Sequence, residues 1–300
     1  MWRFVQITDP HLGSHTDGRW NNSVICSMMP DVMRCLRRDL RELRPEFILA
    51  TGDLGTGTTR DGVFSGRDLM DWLGYPYYPM GGNHDFAAEE SRKWFREAYH
   101  ARLPGGRTYY SFSQHGIHFA VIDPLWLWPD GALQPAPDTT TKLVAESGDE
   151  HGRWAVPVEQ LAWLDADLRV HEGQPAIVAC HQPAIGIPGR LRRSGIADGG
   201  HLENGGDLIA ILRRHENVRA MFCGHLHMHI VEAINGVTHV ITGALPEYPT
   251  EYREIAVHED RLEVTTRGLS DPSFAARSLI EGNEWTAGEA QDRSATISLT

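Results

Sequence analysis

Five short runs of apolar, β-type residues each stop at a side chain able to bind a cation, and no other feature of this 300-residue chain constrains its fold so strongly. Phe4 to Thr8 leads to Asp9, Phe47 to Thr51 to Asp53, and Tyr77 to Met80 to Asn83 and His84. Ala176 to Cys180 leads to His181, and Val218 to Phe222 to His225. In open α/β sheets ligands bind beyond the carboxyl ends of the strands, so these endings point to one shared site. Stretches of helical period lie between the runs. The clearest begins near Pro30 and Asp31, puts Val32, Leu36, Leu40 and Leu43 on one face, and is stopped by Pro45. A second, from Val158, groups Leu161, Leu164 and Leu168, and a third, Asp207 to His215, pairs Leu208 with Leu212. The alternation makes this an α/β chain.

Past His227 the chain reads as strands, Val237 to Thr242, Glu254 to Val257 and Leu262 to Thr265, with a turn at Asn235-Gly236; a meander closing one sheet is expected. Residues 1–267 read as one domain, and 268–300 as a polar, aperiodic tail laid over it or against a partner subunit. Pro124 to Pro157 is irregular, carries Trp126, Trp128 and the Thr139–Thr141 run, and is long enough to suggest a functional insert.

The net charge of −12 opposes general attraction to nucleic-acid polymers and anionic membranes, leaving room only for a local basic pocket. Cys26, Cys35, Cys180 and Cys223 form no Cys-x-x-Cys pair and read as free thiols. With no signal-peptide pattern and no run of about 18 apolar residues, a cytoplasmic protein is expected.

Asp9-Pro10-His11 offers a carboxylate and an imidazole two residues apart, on a turn taken to be extended. Gly52-Asp53 adds a carboxylate whose two oxygens can bridge two cations. In Gly81-Gly82-Asn83-His84-Asp85 the amide oxygen of Asn83 is a neutral hard ligand, while His84 can move protons beside a metal. His181 and the pair in Gly224-His225-Leu226-His227 complete the set; two histidines at i, i+2 on an extended segment reach neighbouring ions.

In this order the blocks resemble the calcineurin-like metallophosphoesterase superfamily, with its Asp-x-His, Gly-Asp, Gly-Asn-His-Asp/Glu, later His, and Gly-His-x-His. The resemblance implies a four-layer α/β/β/α sandwich of two mixed sheets flanked by helices. It implies a dinuclear site with Asp9, His11 and His227 on one ion, Asn83, His181 and His225 on the other, and Asp53 between them. The mixed donors suit Mn, Fe, Zn or Co. Asp53 and His84 are the catalytic residues so implied, with His84 protonating the leaving alkoxide and Asp85 either orienting His84 or capping a helix. Two ions about 3.5–4 Å apart would present a bridging hydroxide for in-line attack on phosphorus.

Asp53 is followed by Leu54-Gly55-Thr56-Gly57, unlike the Gly-Asp-x-x-Asp-Arg-Gly of Ser/Thr protein phosphatases, and His84 by Asp85 instead of Glu. The pattern is similar to the bacterial cyclic-nucleotide and glycerophosphodiester phosphodiesterase branch, so a small phosphodiester is the expected substrate. A nucleotide pyrophosphatase or phosphomonoesterase is the alternative, and a non-catalytic scaffold a third reading, opposed by the complete ligand set. Trp126 and Trp128 could wall the site or fill the core; Arg190, Arg192 and Arg193 could line its rim or form a solvated turn. His201 and Asn204 are similarly ambiguous, and the insert and tail offer surfaces for a homo-oligomer.

Overall fold

Alternation along the first run divides its side chains between two layers. In the computed structural model, which describes residues 1–128, 130–136, 152–193 and 200–300, that run is the strand β1 (Trp2–Ile7). The Phe4 ring meets Phe119 and Phe222 edge-on at 5.6 and 6.0 Å, across a gap between two sheets. Val5 and Ile7 take the opposite face. Gln6, fully buried in the gap, donates to the Cys223 carbonyl at 2.9 Å and accepts from the Thr242 hydroxyl at 2.6 Å, tying the sheets by polar bonds worth about 1 kcal/mol each.

The chain begins in one sheet with β1, β2 (Ile48–Thr51) and β3 (Tyr77–Met80). It crosses to a second with β4 (Tyr110–Gln114), β5 (Ile117–Val121), β6 (Ala176–Ala179), β7 (Val218–Cys223), β8 (Ile230–Ile234) and β9 (Val237–Ile241). It returns to the first with β10 (Glu251–Val257), β11 (Arg261–Gly268) and β12 (Ser294–Ser298). The orders are β12-β11-β10-β1-β2-β3 and β8-β9-β7-β6-β5-β4. β1, β2 and β3 run parallel, as do β5, β6, β7 and β9, so each sheet gathers its carboxyl ends on one side. The expected single meander is therefore corrected: β8 and β9 close the second sheet, while β10 and β11 extend the first.

Helices α1 (Met29–Leu43), α2 (Arg60–Trp72) and α3 (Ser91–Ala98) contribute to the core shared with the first sheet. Helices α4 (Val158–Val170) and α5 (Gly205–Arg214) pack against the outer face of the second, completing an α/β/β/α arrangement. Met29, Val32, Met33, Leu36 and Leu40 of α1 are buried, each worth about 1.5–3 kcal/mol. Arg44, at φ 52°, ends that helix by returning its N–H to the Leu40 carbonyl at 2.7 Å just before Pro45.

The region after 268 is more ordered than its polarity suggests. It forms α6 (Ser273–Ser278) and then β12, which pairs antiparallel with β11. Only Ile297 of β12 is buried, so an edge strand reads as an aperiodic tail. No helix among the described residues is long and apolar enough to cross a membrane.

Candidate metal centre

The loops after the parallel strands are held in register by backbone bonds: Asp9 N–H to Gly52 C=O at 3.0 Å, His11 to Asp53 at 3.0 Å, and Gly224 to His181 at 3.0 Å. Asp9, His11, Asp53, His225 and His227 all have left-handed backbone, φ between 44° and 69°, so neither Asp9-x-His11 nor His225-x-His227 is extended as expected. Such φ values are uncommon outside glycine and cost about 1–3 kcal/mol each when imposed. With these turns the donor atoms of Asp9, His11 and His227, and those of Asp53 and His225, converge on one region. Two glycines make room. A Cβ on Gly52 (φ 96°) would lie 2.2 Å from His181 Nδ1, and one on Gly82 2.2 Å from Asp53 Oδ1.

Three groups of donor atoms result, each within 4.8 Å: Asp9, His11 and His227; Asp53, His181 and His225; and His11, Asp53 and His84. His227 Nε2 is 3.3 Å from Asp9 Oδ1, and His181 Nε2 is 3.2 Å from Asp53 Oδ2 and 3.7 Å from Asp9 Oδ1. His11 Nε2 lies 3.5 Å from His227 Nε2 and 4.0 Å from Asp53 Oδ2. Gln182 Nε2 donates to Asn83 Oδ1 at 3.3 Å, linking that amide to the residue that follows His181. Asp9 Oδ1 and His181 Nε2 are buried without a hydrogen-bond partner. Buried polar atoms are rarely left so, and these converge on one another with hard-oxygen and imidazole chemistry that fits cations.

Hydrogen bonds aim the donors. The Thr8 hydroxyl and the His225 N–H occupy Asp9 Oδ2 at 2.5 and 3.0 Å, leaving Oδ1 free to turn inward. The Thr51 carbonyl takes His181 Nδ1–H at 2.8 Å, the His84 N–H holds Asp53 Oδ1 at 2.8 Å, and Glu247 Oε2 takes His227 Nδ1–H at 2.5 Å. Burial alone would raise the Asp9 carboxyl, but His181 and His227 hold it down at about 2, and the same opposition keeps Asp53 well below the usual carboxylate range. Burial opposes charge on His181 and His227 too, yet Asp53 and Asp9 raise the first to about 9, and Asp9 with Glu247 raises the second to about 10. Burial, then the neighbouring imidazoles, push His11 and His225 down to about 3. The two carboxylates thus stay ionised, balanced by protons that cations would displace.

Thus Asp9, His11, Asp53, His181, His225 and His227 come together, Asn83 is bonded to Gln182, the residue after His181, and the exposed His84 ring stands edge-on to His11 at 4.8 Å. Asp85 neither contacts the His84 ring nor caps a helix: its carboxylate takes the N–H groups of Leu54, Gly55 and Gly82 at 2.9–3.0 Å, clamping two ligand loops together. Burial and the Asp53 charge raise it to about 7 against those donors. Trp126 is core, its indole N–H given to the Phe86 carbonyl at 3.3 Å, and Trp128 packs against the second core. Trp154, unremarked in the sequence, stands edge-on to His225 at 4.7 Å. Arg190 is neither rim nor solvated turn, since Glu232 and Asp292 hold its guanidinium at 2.5–2.7 Å. Asn204 brackets the backbone of Val156 with bonds at 2.8 and 2.9 Å, and His201 Nδ1 is buried without a partner. Thr139–Thr141 lies outside the described residues.

Glu247 and Thr8 are the functional residues that motif reading missed, and no local pattern marks either. A separate cluster, His118, Asp167 and His171, is satisfied internally: its two rings stack 3.7 Å apart and 11° from parallel, with His118 Nε2 on Asp167 Oδ2 at 2.6 Å. Rings stacked in that way point their in-plane lone pairs alongside one another, not at one ion.

The family model for calcineurin-like phosphoesterases matches residues 3–229, which contain every one of these donors. The chain belongs to the calcineurin-like phosphoesterase family. As such it is a metal-dependent phosphoesterase. It is similar to a probable cyclic nucleotide phosphodiesterase of Synechococcus sp. (strain WH7803), 26% identical over 245 residues that cover 76% of each protein. It is also similar to a probable glycerophosphodiester phosphodiesterase of Arcobacter nitrofigilis, 24% identical over 81% of this chain and 78% of that protein. Among solved structures, a dimetal phosphatase from Danio rerio superposes with a TM-score of 0.70 at 17% identity, over 100% of this chain and 99% of its own. That last likeness speaks for the calcineurin-like phosphoesterase fold alone.

Proposed function

We propose that this phosphoesterase hydrolyses small phosphodiesters, of the cyclic-nucleotide or glycerophosphodiester type, using two metal ions. The observation that carries the dinuclear part is the pair of adjacent donor groups, with Asp53 close to both and the partnerless Asp9 Oδ1 and His181 Nε2 converging between them. Asp9, His11 and His227 would hold one ion, Asn83, His181 and His225 the other, and Asp53 both; the donor set suits Mn, Fe, Zn or Co. When bound, such a pair supplies Lewis acidity, lowering the pKa of water and neutralising charge on phosphoryl oxygens.

The chain's own residues do the rest. Thr51, Glu247 and Thr8 fix the direction of the donors before substrate arrives. His84 would protonate the leaving alkoxide, a role supported by its exposed ring and its backbone bond to Asp53. Trp20, 51% exposed with its ring 6.3 Å from that of His227, offers a flat apolar face to the alcohol side of the diester. The diester assignment draws support from the names of the sequence relatives and from the Gly-Asn-His-Asp block.

Turnover of bis(p-nitrophenyl) phosphate and p-nitrophenyl phosphate with added Mn, followed by cyclic nucleotides, glycerophosphodiesters and nucleoside-diphosphate esters, tests the proposal by kcat/KM. Diesters should lead. Release of a nucleoside monophosphate from diphosphate esters, with simple diesters untouched, would refute the diester assignment in favour of pyrophosphates.

A further inference from the structure

One groove on the molecule lies away from the metal centre. It measures 590 Å3 and runs between the outer face of α1, the end of α2 and the short helix α6. Arg34, Arg37, Arg38 and Arg41, at the i, i+3, i+4, i+7 spacing of one helix face, form one wall, and Arg277 of α6 joins them. Asp31 and Asp271 are the acidic side chains in the lining, leaving an excess of three positive charges in a chain whose total is −12. Like charges at that spacing destabilise a helix, so the stripe works against the stability of α1. Among the described residues, neither Arg41 nor Arg277 has a hydrogen bond or ion pair, and Arg34 pairs only with the exposed Asp31. Trp72 and Phe274 add aromatic side chains to the lining, and Trp72 is 42% exposed, with the Arg37 guanidinium 4.4 Å from its ring centroid.

We propose that this groove is a second binding site, for a small organic polyphosphate carrying a flat ring, of nucleoside diphosphate or triphosphate size. Guanidinium groups match phosphate oxygens in bidentate geometry, and Trp72 with Arg37 gives the ring a surface to stack on. The volume falls in the range of about 300–1,000 Å3 usual for such ligands. The negative charge of the rest of the chain selects against the larger polyanions: a nucleic-acid strand or an anionic membrane would leave the groove and meet repulsion. A compact anion stays within a lining in which five arginines outnumber Asp31 and Asp271.

The test is calorimetric titration of the metal-loaded protein with the α,β-methylene analogue of ADP, which resists hydrolysis between its phosphates. One equivalent should bind. Arg37→Ala/Arg41→Ala should weaken it on the order of tenfold or more through lost charge-assisted bonds. Arg277→Ala, on a different element, should weaken it as well and stands in if the double variant does not fold. Asp53→Ala should leave it unchanged, which separates this groove from the metal centre. Adenosine and pyrophosphate, each lacking half of the ligand, should bind at least about tenfold more weakly. No binding to the wild type, binding unchanged by every folded arginine variant, or binding abolished by Asp53→Ala overturns the site. Pyrophosphate binding as tightly as the analogue overturns the ring-bearing ligand.

Discussion

Replacing Glu247 with Ala should weaken the metal centre without touching a proposed ligand. Its carboxylate is fully buried and accepts two hydrogen bonds, from His227 Nδ1–H and from the Asn22 backbone N–H, in a very short contact. Truncation strands the buried Asn22 N–H, at about 1–3 kcal/mol of protein stability. It also frees the His227 ring to rotate and to change tautomer, so that Nε2 is no longer held toward Asp9 Oδ1, 3.3 Å away. Loss of such an orienting carboxylate costs about 10- to 100-fold in metal affinity, or roughly 1.4–2.7 kcal/mol. Glu247→Gln keeps an acceptor oxygen for one of the two donors and should fall between wild type and Glu247→Ala. The assay is Mn titration of diesterase turnover, with bound metal counted by elemental analysis after desalting. Activation should shift to higher Mn with kcat at saturation largely restored. An activation midpoint equal to wild type in Glu247→Ala would refute the orienting role, and normal metal affinity with a collapsed kcat would assign Glu247 to the chemistry instead.

His84→Ala should retain its metals and lose about 10²- to 10⁴-fold in kcat; full activity would remove His84 as the proton donor. Asp85→Ala strands three backbone N–H groups and should cost about 3 kcal/mol or more, seen as a lower urea midpoint, with metal lost because the loops bearing Asp53 and Asn83 come apart. His239, buried in β9 across from Glu232 of β8 and Met221 of β7, is pushed by burial from 6.5 down to about 4. Because its folded pKa is the lower one, the unfolded chain takes up the proton first, so stability should fall as pH drops through 6.5 toward 4. The loss reaches about 3 kcal/mol at most. Urea unfolding at pH 7 and pH 5 should show His239→Leu with a shallower loss than wild type; equal slopes would contradict the assignment.

The strand endings were legible because strands buried on both faces are mainly apolar, which makes Phe4–Thr8, interrupted only by Gln6, and Ala176–Cys180 stand out and leaves each ligand conspicuous at the end. The hairpin of β4 and β5 was hidden: Ser111, Ser113, Gln114 and His118 dilute its apolar character, and its turn is His115-Gly116, at φ 47° and 82°. α2 escaped notice because its sequence is rich in Arg, Asp and Gly, while the Thr59 hydroxyl that caps it at 3.1 Å is an ordinary loop residue until the helix is seen. At the site, donors that touch the proposed ions lie in motifs, whereas Glu247, in a loop, and Trp154, on a two-residue strand, each meet one of those donors with no spacing to betray them. The sheet to which a late strand belongs depends on which edge is free, and Val237–Ile241 and Glu251–Val257 look alike in that respect.

The left-handed turns under the donors bear on how this centre can be rebuilt. Asp, Asn and His are the side chains that enter that conformation most readily among non-glycine residues, and they are also hard or borderline donors. At positions 9, 11, 53, 225 and 227 one residue type therefore meets two demands at once. A library that varies donors by their chemistry alone, offering Glu for Asp or Cys for His, changes both the atom presented to the ion and the willingness of the chain to bend beneath it. Metal selectivity in this scaffold should be easier to alter at positions 83 and 181, where the non-glycine backbone carries no such twist and only the donor atom has to change.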